Sequence, residues 1–268
     1  MDLAALLGEL STDAIAASLS TIRLLAAFLM MPLLGEELVP PLVRNALFLV
    51  FAALVAWVQP GFEGEAITAT RWVVLAGKEA FVGLAVGTFF GLFLWAFEAA
   101  GTVLDTQIGA SLGTVQDPIS GHDVTLLGDL LGRWAGYVFM ASGGFLLLIT
   151  ALLDSFAVWP VDRALPDVAG ASVLLFEAEF GAFATLSVMI AAPVLVVLFV
   201  IDMLFGLVNR FARRVDVLFL SMALKGLVAL LLVALLLPVL LELLLRQIEM
   251  RDGGLERFLL RVLSGERP

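Results

Sequence analysis

Five ionisable residues sit within or at the edges of long apolar runs: Arg23, Lys78, Glu79, Asp202 and Lys225. A charge at the centre of a hydrocarbon-embedded helix costs roughly 2.5–3.5 kcal/mol on the insertion scale. Such groups persist when they pair, when they meet a neighbouring protein, or when they move ions. Most of these five lie near the ends of their runs, where a long side chain can reach back to polar surroundings. Structural pairing or an interface contact is therefore the expected role. Lys78 and Glu79 are adjacent and are expected to point to different faces of a helix. Asp105 and Asp117 are the one possible aspartate pair for an intramembrane protease, but both fall in a broken stretch rather than on facing helices. The chain has no cysteine and a single histidine, His122, which reads as a loop residue. A thiol nucleophile, a disulfide framework, a cysteine-ligated zinc and a histidine cluster are excluded within this chain. No phosphate-binding loop, HExxH helix or nucleophile elbow occurs. The expectation is a non-enzymatic protein with no metal and no cofactor.

The elements that must hold these charges are apolar. Hydrophobic residues make up 62% of the 268, charged residues 15%, and the mean hydropathy is +1.08. A soluble domain is about 45–50% apolar and about 25% charged. Six apolar stretches stand out, at 14–34, 39–58, 72–97, 131–153, 180–208 and 217–245. Each is long enough to cross a hydrocarbon core of about 30 Å as a helix. Helices satisfy their own backbone in lipid, and the alternating pattern of a membrane barrel is missing. The fold class is read as all-α: one polytopic membrane-embedded unit over residues 1–268, with about six apolar helices arranged as hairpins.

Turn signals divide the helices. Pro32, Gly35, Pro40 and Pro41 make a tight first connection, and Gln59-Pro60-Gly61 ends the second helix. A longer, more polar connection is expected over 98–130, and another over 160–172. The charged tail 246–268 reads as helical with a break at Gly253-Gly254. The acidic N-terminus, Met1-Asp2 with Glu9 and Asp13, lacks the basic start of a cleavable signal, so the first run is expected to be retained, with the N-terminus outside the cytoplasm.

Charge distribution sets a topological conflict. Residues 1–208 carry 6 Lys/Arg against 19 Asp/Glu, and residues 209–268 carry 9 against 6. Basic flanks favour the cytoplasmic side. Yet Arg210, Arg213 and Arg214 precede the segment 217–245 and the basic tail follows it. A simple span would put these two basic regions on opposite sides. Lys225 and Pro238 within the segment favour a hairpin packed against protein over an ordinary span.

Two glycine series repeat at four-residue spacing: Gly83, Gly87 and Gly91, then Gly128, Gly132 and Gly136, with Gly144 eight further on. Each series lies on one helix face and lets two backbones approach closely. The partner is either another helix of this chain or a helix of a neighbouring subunit. The stretch from Glu98 to Asp123 is small and weakly polar, with Asp117-Pro118 favouring a turn and Gly109, Gly113 and Gly121 loosening the backbone. It is too apolar for an ordinary exposed loop and too broken for a spanning helix. Irregular backbone at membrane depth survives only where protein buries it or it lines a cavity.

At this stretch the sequence resembles the SctT/FliR family of type III secretion export-apparatus proteins. The resemblance rests on Asp105-x-Gln107-x-Gly109-x-Ser111 followed by Asp117-Pro118-x-Ser120-Gly121. Arg23, Pro32, Gly35, Val39-Pro40 and Arg44 resemble that family's first hairpin. Phe139, Gly143-Gly144 and Ser155-Phe156-x-x-Trp159-Pro160-Val161 follow in order, and the Trp-Pro-Val ending is closer to the injectisome branch, SctT, than to flagellar FliR. Gly206-Leu-x-Asn209-Arg210-Phe211-Ala212 with Lys225 resembles the C-terminal block. Arg213-Arg214-Val215-Asp216 and Ala223-Leu224 depart from the usual pattern of that last hairpin.

The resemblance implies a core subunit of an inner-membrane export gate for unfolded polypeptides. It implies assembly with SctR/FliP-like and SctS/FliQ-like subunits, with SctU/FlhB-like and SctV/FlhA-like neighbours, and some non-standard hairpins. The stretch 107–123 would act as a re-entrant-like plug, with Gln107, Gly109, Ser111, Gly113, Asp117 and Pro118 as its sealing residues. The glycine faces would serve helix packing and assembly, and Asn209, Arg210 and Lys225 would belong to the C-terminal hairpin. The competing class is a secondary transporter or ion channel, which calls for inverted repeats and a midplane polar site. No convincing repeat is visible.

Overall fold

Long runs of Leu, Val, Phe and Ala, spaced to give continuous apolar faces, fold as helices throughout the part of the chain that the computed structural model describes: residues 18–32, 40–58, 68–109, 125–161, 171–211 and 217–263. Among these residues there are seven helices: α1 (Ser18–Leu29), α2 (Pro41–Val58), α3 (Ala69–Ile108), α4 (Leu126–Ala141), α5 (Gly144–Val158), α6 (Ala171–Phe211) and α7 (Val217–Leu263). Three are long and apolar enough to cross a membrane, or up to four if α4 and α5 count as one broken span. The all-α class agrees with the sequence reading; of the six or so apolar helices expected, the described residues hold three, or up to four, of membrane-crossing length. The described part of α1, 12 residues from Ser18 to Leu29, is about 18 Å long at 1.5 Å per residue, short of a bilayer core.

Several boundaries differ from the sequence reading, three of them for a local reason. The third helix does not stop at 97. It runs 40 residues to Ile108, because Ala96, Ala100, Leu104 and Ile108 continue the buried face at four-residue steps. Thr102 and Thr106 turn their hydroxyls back onto the carbonyls of Glu98 and Thr102, at 3.0 and 2.9 Å, so residues that look loop-like in sequence are satisfied within the helix. The helix ends at Gly109, whose φ of +90° closes it: the Gly109 N–H donates to the carbonyls of Thr106 (3.1 Å) and Asp105 (3.2 Å). The run 131–153 is two helices, broken at Ser142 and Gly143, where φ is +85°. Conversely, α7 passes through Gly253-Gly254 without stopping. Two glycines weaken a helix by about 1 kcal/mol each, which the strong helix formers around them offset.

The chain forms two compact units. The first comprises Met1–Gly91, Gly143–Glu179 and Met250–Pro268; the second comprises Leu92–Ser142 and Phe180–Glu249. In the first, Leu24, Ala27 and Phe28 of α1 are buried with Leu75, Val82 and Val86 of α3 and with Leu148 and Leu152 of α5. Phe28 sits at the centre of an aromatic group, with ring centroids 5.4 Å from Phe48, 6.1 Å from Phe51 and 6.1 Å from Phe145. In the second, Phe93 and Phe97 of α3 meet Phe139 (5.8 Å) and Trp134 (6.0 Å) of α4. Helices α6 and α7 bury stripes there that include Leu186, Ile190, Val194 and Leu198 on one and Ser221, Lys225, Ala229 and Val233 on the other.

Candidate functional site

The first unit gathers Arg23, Lys78 and Glu79 into one dry cluster. Four-residue glycines bring it about. Gly83, Gly87 and Gly91 of α3 face α1, and a Cβ at these positions would run into the carbonyl oxygens of Arg23, Ala27 and Met30 respectively. With α1 drawn this close, Arg23 meets Glu79 in a bidentate pair: Nε to Oε2 at 2.6 Å and Nη2 to Oε1 at 3.0 Å, both side chains 0% exposed. A guanidinium fork matches a carboxylate in this geometry. Arg23 also donates through Nη1 to Ser155 Oγ (3.0 Å) and through Nη2 to the Trp159 carbonyl (2.9 Å), and its Cζ lies 3.9 Å from the Phe156 ring centroid.

Lys78 completes the cluster. Its Nζ donates to the carbonyls of Pro160 and Val161, each at 2.9 Å, and lies 2.8 Å from Glu79 Oε1. The expectation that Lys78 and Glu79 point apart is corrected: the flexible lysine arm bends back to its neighbour. Two cations thus share one carboxylate, and the carbonyls following α5 take up the remaining positive charge. Oxygen dipoles at a helix C-terminal end favour a cation. The Trp159-Pro160-Val161 segment singled out in the sequence is therefore the acceptor for both cations. A further pair in this unit escaped sequence reading: Arg251 Nη1 lies 2.7 Å from Glu179 Oε2, with the guanidinium 4.1 Å from the Phe89 ring centroid.

The second unit builds a different arrangement at the end of α3. Lys225 of α7 reaches Asp202 Oδ1 of α6 at 2.9 Å and donates to the main-chain carbonyl of Gln107 at 2.9 Å. The Gln107 side chain donates through Nε2 to Asp202 Oδ2 at 3.0 Å. Gln107 sits in the last turn of α3, where carbonyls lack helical partners and a cation is favoured. The Lys225 side chain is 9% exposed and that of Asp202 35%. Two residues earlier, Asp105 Oδ2 accepts from the N–H groups of Leu127 (2.8 Å) and Gly128 (3.1 Å). It caps the start of α4, a task that Thr125 at the N-cap position does not perform with its own side chain. Asp105 is thus placed as a helix cap.

The second glycine series is on α4, and its Gly128 and Gly132 face α3. A Cβ at Gly128 would collide with the hydroxyls of Thr125 and Thr102, and one at Gly132 would press on Glu98 Cβ at 3.2 Å; Gly136 is buried. Gly101, outside either series, is the counterpart on α3, facing the Leu127 carbonyl and Gly128 Cα. Asn209 and Arg210 are exposed in the last turn of α6. Ser111, Gly113, Asp117 and Pro118 lie outside the described residues, as do His122, Arg213 and Arg214. Among the described residues no three His, Cys, Asp or Glu side chains come together as a metal site would. Both clusters join helices to one another; neither sets a nucleophile beside a base.

Long apolar helices carrying buried ion pairs define an α-helical membrane protein. Residues 14–250 match the family described as bacterial export proteins, family 1, and the chain belongs to that family, the SctT/FliR group. It is 31% identical over 211 residues to the Yop proteins translocation protein T of Yersinia pestis, covering 77% of this chain and 80% of that protein. It is 27% identical over 208 residues to the surface presentation of antigens protein SpaR of Shigella flexneri (77% and 79% covered), and 29% identical over 205 residues to the flagellar biosynthetic protein FliR of Bacillus subtilis (76% and 79% covered).

Proposed function

We propose that the protein is a core subunit of a type III secretion export gate in the bacterial inner membrane, on the injectisome branch, and that it helps to form and seal the channel for unfolded polypeptides. Membership of the export-protein family supports the apparatus role. The observation that carries the assembled form is the outer face of α6. Exposed Phe180, Val188, Val196, Phe199, Leu204 and Phe211, distributed around α6, mark an exposed apolar surface about 47 Å long at 1.5 Å per residue. A hydrocarbon core is about 30 Å thick. Lipid alone covers such a face only if the helix tilts far beyond the usual ~20°. Protein partners cover the remainder in this reading, and SctR/FliP-like and SctS/FliQ-like subunits are the proposed ones, with SctU/FlhB-like and SctV/FlhA-like neighbours. Only 28% of the most apolar window of α6 and 22% of that of α7 is buried within the chain, which fits a subunit completed by others.

The seal is assigned to 107–118, with Gln107 and Gly109 at its root and Ser111, Gly113, Asp117 and Pro118 along it. Co-expression with SctR- and SctS-like partners should give one stable complex on purification. Deleting 109–114 should leave that complex intact and raise its ion conductance in a planar bilayer. Unchanged conductance overturns the sealing role; purification of the chain as a solitary, active unit overturns the subunit role.

A further inference from the structure

We propose that the face of α3 and α4 around Glu98 and Asp129 receives a helix from a neighbouring subunit, and that this helix brings a lysine or arginine to the two carboxylates. The proposal rests on the export-gate reading above and names the chemistry of one contact in it. Glu98 lies on α3, within a 39-residue segment apolar enough to cross a membrane. It faces α4 over Gly132, where a Cβ would stand 3.2 Å from Glu98 Cβ and 3.7 Å from Oε2. Asp129, one turn before Gly132, adds a second negative charge that repels it. Among the described residues no cation pairs with Glu98. Arg133 lies 3.6 Å from Asp129 with its side chain 56% exposed, an open contact that cancels little. A carboxylate on such a helix calls for a partner charge. Residues 1–208, with 6 Lys/Arg against 19 Asp/Glu, have few cations to give, and Arg23 and Lys78 are already committed to Glu79.

The surface beside the carboxylates has the form of a helix seat. Helix α4 buries Leu127, Leu131, Ala135 and Phe139. Leu126, Leu130, Arg133, Tyr137 and Met140 are exposed, at alternating steps of four and three residues. That spacing is the seam along which a second helix packs, and it runs about 21 Å at 1.5 Å per residue. By helical register Asp129 falls between Gly132 and this row, so the acidic pair lines its edge. Lipid tails would cover the row but leave the carboxylates without a counter-charge, and anionic headgroups would repel them. A helix with an apolar row and one cation satisfies both.

Co-expression of the full chain with SctR- and SctS-like subunits tests the contact. Glu98→Lys should lower the partner recovered per chain by at least about tenfold, since like charges brought together at an interface cost heavily; Glu98→Gln should lose a smaller share. The isolated Glu98→Lys subunit should unfold no earlier than the parent, because the new ammonium meets Asp129. The chain lacks cysteine, so Leu130→Cys can carry a single thiol-linked photo-crosslinker. The segment it captures in the purified complex should hold a lysine or arginine within an apolar run, and reversing that residue to glutamate should restore the partner lost with Glu98→Lys. A captured segment without such a cation, or capture of lipid alone, overturns the docking, and so does parental recovery with Glu98→Lys. Full assembly of Glu98→Gln with export abolished would make the carboxylate a proton carrier instead, and also overturns it. The two readings fail apart. A parental chain that co-purifies with neither subunit sinks the export-gate reading; a parental complex that forms and tolerates Glu98→Lys leaves that reading standing and removes only this contact.

Discussion

Arg23 and Lys225 are both cations buried in apolar helices, and they hold their partners in opposite styles. Around Arg23 every contact is with protein: a forked carboxylate, a hydroxyl, a carbonyl and an aromatic face, at zero exposure. Around Lys225 there is one carboxylate, a third of it open, and one carbonyl at a helix end. The first unit is closed in the same sense, with glycines of α3 pressed against the α1 backbone, whereas α6 and α7 of the second unit leave most of their apolar faces outward. The contrast separates a part of the chain that is closed on itself from a part whose apolar faces are left uncovered by the chain. A saturated, dry ion pair ties helices through a fork, a hydroxyl and a carbonyl at once; the pair at the end of α3 ties them through one carboxylate and one carbonyl.

The largest effect is expected from breaking the closed cluster. Glu79→Leu strands Arg23 and Lys78 in a dry interior, and removing one partner of a buried pair costs about 3–5 kcal/mol. Folded yield and thermal unfolding in detergent measure it. Replacing Arg23 and Glu79 together by Met should recover much of the loss, since an apolar pair avoids the desolvation of both charges. Asp202→Leu, by contrast, should be milder in the same assay because it strands one cation rather than two, and Lys225 keeps the Gln107 carbonyl. Equal damage from Glu79→Leu and Asp202→Leu would erase the distinction between the two regions.

Next comes the packing that closes the first unit. Gly87→Leu places a branched side chain where the Ala27 carbonyl and Met30 Cβ already stand. Overpacking of this kind costs about 1–3 kcal/mol, more if α1 is expelled. The subunit should therefore unfold earlier on its own, before any partner is added. If the isolated subunit keeps its stability and only co-purification suffers, Gly87 faces a partner and the closed description of this unit fails.

Much of this was legible in the chain, and the rest was hidden for physical reasons. Apolar runs and family-like blocks revealed an all-helical membrane protein and the ionisable residues that matter. The pairing of those residues did not show, because Arg23 and Glu79 are 56 residues apart and only tertiary packing decides that they meet. Asp105 reads as part of a polar loop, since capping α4 across 22 residues leaves no local signature. The length of α3 was concealed by threonines that bond within the helix. Glycine spacing marked two faces but not what each one meets, and Gly101 fell outside both series. Arg251 and Glu179 carried no sequence signal beyond being charged.

Asp105 offers a smaller test on the open side. Asp105→Ala removes the acceptor for the Leu127 and Gly128 amides, and loss of a helix cap costs about 0.5–2 kcal/mol. Faster hydrogen exchange should appear at the first turn of α4 and leave α1 and α5 protected. Exchange that rises equally in both regions would mean that the two are not separable in stability.

The smallest effect is also the sharpest probe of the open face. Gly206 is exposed on α6, and a Cβ there meets nothing within 4 Å. Within the chain alone, Gly206→Ala can only reduce backbone freedom, a gain of up to about 1 kcal/mol in a helix. Gly206→Leu should likewise leave the isolated subunit folded. If a neighbouring helix seats on this face, the small residue is what admits its backbone, and the leucine variant should lose co-purifying partner while the alanine variant loses little. Partner recovery at the parental level with leucine would mean that lipid, not protein, lies against Gly206, and the unfinished face of the second unit would have to be sought further along α6 or on α7.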